Sequence, residues 1–122
     1  MSDRARVLIV DDERDIVDLL QDILVELGYD VRPVFVSSDA VAVAGAFRPA
    51  VILLDIAMPG MMGAQVLEAL RAAGILMPVI AISARPELAG PGFFDVIGKP
   101  ARIDEVARTV AAAIRHHGGR DG

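Results

Sequence analysis

The sequence predicts an α/β protein: a doubly wound parallel sheet covered by helices on both faces. Three observations point there. Short runs rich in Val, Ile and Leu alternate with stretches of helical period. The runs are apolar almost throughout, as strands buried on both faces are. Five such units fall within 122 residues, a length that supports one core and one domain.

The elements follow in order. Arg6-Val7-Leu8-Ile9-Val10 is the first strand. Ile16, Leu19, Leu20, Ile23, Leu24 and Leu27 then recur at helical spacing and stop at Gly28. Residues 30–36 form the second strand, and Pro33 argues for an edge position because it cannot donate to a ladder. Ser37, Ser38 and Asp39 can cap a second helix that runs to Phe47. Val51-Ile52-Leu53-Leu54 is the third strand, ended by Asp55. A third helix covers residues 64–73 and stops at Gly74; residues 78–82 and 93–97 form strands four and five. The last helix, residues 102–116, places Ile103, Val106, Val110 and Ile114 on one face. The domain is expected over residues 1–117, with a disordered tail at 118–122. The alternation suggests a flavodoxin-like sheet of order 2-1-3-4-5, with its sites at the carboxyl ends of the strands.

Composition excludes several classes. There is no cysteine, so disulfides and thiolate metal sites are ruled out. Net charge is −5 with no basic stripe, which argues against direct nucleic-acid binding. No apolar run is long enough to span a membrane. The N-terminus carries no signal-like apolar segment, so a cytoplasmic location is expected.

The chemistry collects at strand ends. Asp11-Asp12-Glu13 follows strand one, Asp55 ends strand three, Ser83 ends strand four and Lys99 follows strand five. Lys99 is the only lysine; the other eleven basic residues are arginines. An ammonium is a compact point charge, suited to a confined place beside an anionic oxygen. Three convergent carboxylates repel unless protonated or neutralised by a cation. Oxygen ligands that leave room for water and a phosphoryl group suit Mg²⁺. Such a site suits phosphoryl transfer to a carboxylate. Glu13 and Asp15 are assigned to the dipole of the first helix. Met61 is assigned to packing, and His116 and His117 to no site.

These residues are where the chain resembles a known family, the response-regulator receiver domains of two-component signalling. The resemblance runs from about Arg6 to Ile114 and is carried by Val-Asp11-Asp12-Glu, Leu-Leu-Asp55-Ile-Ala-Met58-Pro59-Gly-Met61, Ile-Ser83-Ala and Lys99-Pro100. Each motif alone is common; four in order, each after a predicted strand, are specific. The resemblance implies that Asp55 is the phosphoacceptor. It implies that Asp11, Asp12 and Asp55, with the Ala57 backbone carbonyl, hold Mg²⁺. Ser83 and Lys99 would contact the phosphoryl group, and the Lys99–Pro100 peptide would be cis. The implied donor is a phosphohistidine on a histidine kinase or phosphotransfer protein. The output would be through contacts with a protein target the sequence does not identify.

Three departures from the family pattern stand out. Met62 occupies a position that is usually small and polar or acidic. Ser83 and Lys99 lie closer together than in the family, by roughly a turn and a half of helix. Pro86, Gly90, Pro91 and Gly92 fall between them, so the fourth helix is expected to be absent or reduced to a turn near residues 86–89. Val96 stands three residues before the lysine, where the family often has an aromatic switch. In addition, Ala40 to Phe47 carries no charge. Either its outer face is plain alanine, or a second subunit or partner covers it.

The main alternative to a phosphorylated signalling domain is a degenerate receiver acting as a phosphorylation-independent scaffold. A haloacid-dehalogenase-type phosphatase also uses a strand-end aspartate with Mg²⁺. It needs a second acid two residues on, where this chain has Ala57, and a larger chain with a cap. A flavodoxin-type FMN site is disfavoured because the first loop is acidic.

Overall fold

The computed structural model describes residues 4–58, 60 and 62–121, with side chains up to His116. Among the described residues the strands and α-helices are β1 (Arg6–Val10), α1 (Arg14–Glu26), β2 (Asp30–Val34), α2 (Ala40–Phe47), β3 (Val51–Asp55), α3 (Gly63–Ala72), β4 (Val79–Ser83), β5 (Asp95–Gly98) and α4 (Ile103–Asp121). All four strand pairings are parallel and the order is β2-β1-β3-β4-β5, as the strand pattern predicts.

The apolar runs set this order. β3 and β4 are buried at every position and β1 at all but its first, so they take the middle of the sheet. β2 and β5 have mixed burial and lie at the edges. Pro33 is therefore in an edge strand. Alternate residues feed two cores. Val7 and Ile9 pack with Val17, Leu20 and Leu24 of α1 and with Val106 and Val110 of α4. Leu8 and Val10 pack with Ala40 and Ala44 of α2 and with Val66 and Leu70 of α3.

The crossover between β4 and β5 contains no α-helix. A single 3₁₀ turn, Pro86–Leu88, is all that remains, as its proline and glycines predict. Phe93 takes over part of the covering role, packing beside Ile56, Ala81, Ala89 and Val96.

The last helix differs from expectation on its inner face and at its end, which lies at Asp121 and not at His116. Its inner face is Val106, Val110 and Ala113, whereas Ile103 is 55% exposed. Ile103 is the first helical residue, and its side chain stands in solvent instead of the core. His116 has a partner, its ring lying 5.5 Å from that of Phe94. Residues 118–122, expected to form a tail, fall where the side chains or the residue itself lie outside the described set.

The exposed residues of α2 are Ala42, Gly45 and Ala46, while Val41 and Val43 pack inward. Burial thus accounts for the valines of this helix and leaves small residues on its outer face.

Candidate functional site at the carboxyl edge of the sheet

Parallel strands all end on one edge, so residues far apart in sequence meet there. Asp11 follows β1 directly, and its N–H donates to Val34 O at 3.0 Å. Asp55 is the last residue of β3 and Ser83 the last of β4. Lys99 follows β5, its N–H donating to Ser83 O at 2.8 Å, and the Lys99–Pro100 peptide is cis.

Backbone donors hold the carboxylates in place. The Glu13 N–H donates to Asp11 Oδ1 at 2.9 Å, and the Ala57 N–H to Asp55 Oδ1 at 3.0 Å. The remaining oxygens face Lys99: its Nζ lies 3.3 Å from Asp55 Oδ2 and 3.4 Å from Asp11 Oδ2. Both aspartates are buried, while Asp12 is exposed. Oxygens of Asp11, Asp12 and Asp55 all lie within 4.8 Å of one another. The Ser83 hydroxyl is buried and accepts the Arg85 N–H at 2.9 Å.

The electrostatics follow from this crowding. Burial pushes the Asp11 carboxyl up to about 6; the Glu13 N–H opposes the rise, Asp55 adds to it and Lys99 opposes it. Burial alone would lower Lys99, but the Glu13 hydrogen bond and the charges of Asp11, Asp55 and Glu13 outweigh it and hold the ammonium above its ordinary value. Asp11 Oδ2 is buried with no hydrogen bond. A buried acceptor left in this state, beside two further carboxylates and with no nitrogen or sulfur donor, fits a hard divalent cation such as Mg²⁺.

Sequence reasoning missed one member. Glu13, assigned to the helix dipole, places Oε1 2.8 Å from Lys99 Nζ, the shortest of the lysine's ion pairs. The only local signal was its place in the acidic run after β1. The β3–α3 loop is anchored by buried Ile56 and Met58, and the Gly63 N–H donates to Ile56 O at 3.0 Å. Pro59 and Met61 of this loop lie outside the described residues. Met62, 54% exposed, lines a cavity of about 100 Å³ with Ala57, Ser83, Arg85 and Leu88.

Fold and site together define a class: a doubly wound α/β domain presenting a buried aspartate, flanked by two more and a lysine, at its strand ends. The response regulator receiver domain matches residues 7–111, and the chain belongs to that family. It is 31% identical to the transcriptional regulatory protein TctD of Salmonella typhimurium over 94% of this chain and 54% of that protein. The chain spans about half the length of the curated relatives it matches. The receiver domain of Francisella response regulator 1452 is 28% identical with a TM-score of 0.82, covering 93% of this chain and 98% of that one. The response regulator TrrA of Thermotoga maritima, solved with Mg²⁺ and BeF, is 27% identical with a TM-score of 0.80, covering 89% of this chain and 98% of that one. The curated relatives it matches are named as transcriptional regulatory proteins. Among the described residues no helix is long and apolar enough to cross a membrane.

Proposed function

We propose that this receiver domain is a phosphoacceptor that takes a phosphoryl group from a phosphohistidine onto Asp55. The observation that carries this role is the Lys99 ammonium held between Asp55 Oδ2 and the hydrogen-bond-deficient Asp11 Oδ2 at the end of β3. An oxygen of Asp55 attacks phosphorus; a P–O bond forms and the P–N bond to the donor breaks. The donor nitrogen keeps the electron pair, and its ring, already protonated on the other nitrogen, leaves as neutral imidazole. Lys99 then pairs with a phosphoryl oxygen, and the Ser83 hydroxyl turns from the Arg85 N–H to donate to another. Asp11, Asp12 and Asp55, with the Ala57 backbone carbonyl, would hold Mg²⁺. Bound there, the ion neutralises charge on the phosphoryl oxygens. The Mg²⁺ and BeF bound by the related TrrA support this assignment.

The donor is a histidine kinase or histidine phosphotransfer protein, and the cytoplasmic location belongs with that partnership. The output passes through protein contacts, since a domain of net charge −5 is poorly suited to bind nucleic acid itself. One feature favours a second role, a phosphorylation-independent interaction module: the β4–β5 crossover is a bare 3₁₀ turn with no helix to relay a change at Ser83.

Incubation with acetyl phosphate and Mg²⁺, followed by intact mass measurement, separates the two. The phosphoacceptor role requires a single phosphoryl adduct that is lost in Asp55→Asn. No adduct, or one that survives Asp55→Asn, rejects it.

A further inference from the structure

Lys99 Nζ faces three carboxylates, and they are not equivalent. Asp11 and Asp55 are buried, each with one oxygen fixed by a backbone N–H. Glu13 is 55% exposed at its side chain, yet it makes the shortest contact, 2.8 Å against 3.3 Å and 3.4 Å. Among its carboxylate contacts Glu13 is the one partner able to leave, because its carboxylate can return to water at little desolvation cost while the aspartates cannot move without breaking backbone hydrogen bonds.

An ammonium has three N–H donors. Lys99 donates to Glu13 at 2.8 Å and to Asp55 at 3.3 Å, while Asp11 Oδ2 stands 3.4 Å away without a hydrogen bond. An anion arriving beside Asp55 therefore competes with Glu13 for the ammonium. We propose that Glu13 is a positioning residue: it holds the Lys99 ammonium at the mouth of the site before phosphorylation and surrenders it to the phosphoryl oxygen afterwards. This role rests on the phosphoacceptor role of Asp55. It makes Glu13 a competitor of the phosphoryl group for a single cation, so its grip sets how readily the activated state forms.

The chain offers its own reporter. Lys99 is the only lysine, so lysine-labelled protein gives one side-chain Nζ and Cε signal by NMR. Wild-type protein is titrated with beryllofluoride, made from beryllium chloride and sodium fluoride, at fixed Mg²⁺. Glu13→Gln, Glu13→Asp and Asp15→Asn are titrated alongside, with thermal melts to confirm folding. Asp15 is an exposed α1 residue one short step from Glu13. Glu13→Gln removes the charge; Glu13→Asp keeps the charge but shortens the reach to Lys99.

If Glu13 holds Lys99, both Glu13 variants bind beryllofluoride about two- to five-fold more tightly than wild type, the range expected for losing one partly exposed ion pair. Their free-state Lys99 signals move toward the position seen in the adduct. Asp15→Asn matches wild type. If Glu13→Asp behaves as wild type while Glu13→Gln and Asp15→Asn both tighten binding, Glu13 acts only through its charge and the proposal is overturned. Wild-type affinity in both Glu13 variants overturns it equally. A wild-type Lys99 signal that never responds to beryllofluoride is a different failure, that of the phosphoacceptor role itself.

Discussion

At the scale of single residues, the site is organised around one ammonium. Lys99 lies in a mostly buried place between carboxylates fixed by the chain, so its size matters as much as its charge. An arginine there would keep the charge but bring a planar fork in place of a point. Lys99→Arg is therefore expected to weaken beryllofluoride binding at fixed Mg²⁺ by about tenfold or more, the scale of one misplaced charge-assisted hydrogen bond. Fluorescence or NMR titration reads this directly; unchanged affinity would mean that a solitary lysine carries no special requirement here. Ser83 and Asp12 were both legible as strand-end polar residues. The reach of Glu13 to Lys99 was not, because a side chain with several free torsions gives no sequence signal of where it points.

At the scale of elements, the β3–α3 connection shows how packing positions chemistry. α3 starts at Gly63, where an added Cβ would lie 2.4 Å from Ile56 Cγ2 and 2.6 Å from the Ile56 backbone Cα. The helix start can press against the strand end only because this residue has no side chain. Ile56 in turn fixes Ala57, whose N–H holds Asp55. Gly63→Ala should cost about 1–3 kcal/mol in urea unfolding, the range for overpacking a filled core, with the β3–α3 loop shifted. A neutral result would show that the loop yields without strain. The β4–β5 crossover shows the opposite outcome. Its prolines and glycines forbid a helix, and the gap is closed by Phe93 and by small residues, Ala81 and Ala89. The absence of the helix was readable from composition; the substitute cover was not, since it depends on which side chains reach the bared face.

At the scale of the whole molecule, the acidic site opposes the stability of the fold that builds it. Asp11 is raised from its ordinary 3.8 to about 6, chiefly by burial. The folded protein therefore binds this proton more tightly than the unfolded chain. The stability contributed by this group is fully present below pH 3.8 and is lost as pH rises through about 6. In EDTA, urea unfolding between pH 4 and pH 7 should show this loss, superimposed on the other carboxylates. Asp11→Asn should remove that component and be the more stable protein at pH 7. A wild-type and Asp11→Asn pair with parallel pH profiles would refute it.

The sequence by itself determined the order of the sheet, the loss of the fourth crossover helix and the convergence of Asp11, Asp12, Asp55, Ser83 and Lys99 on one edge. These follow from short-range rules: a fully apolar strand takes the middle of a parallel sheet, proline and glycine stop a helix, and parallel strands end together. Tertiary structure alone decided that Glu13 would take Lys99, that Gly63 would meet Ile56 and that Ile103 would stand in solvent. Each depends on where side chains from distant segments come to rest once the two cores close, and the period of a sequence fixes which face a residue takes but not what it meets there.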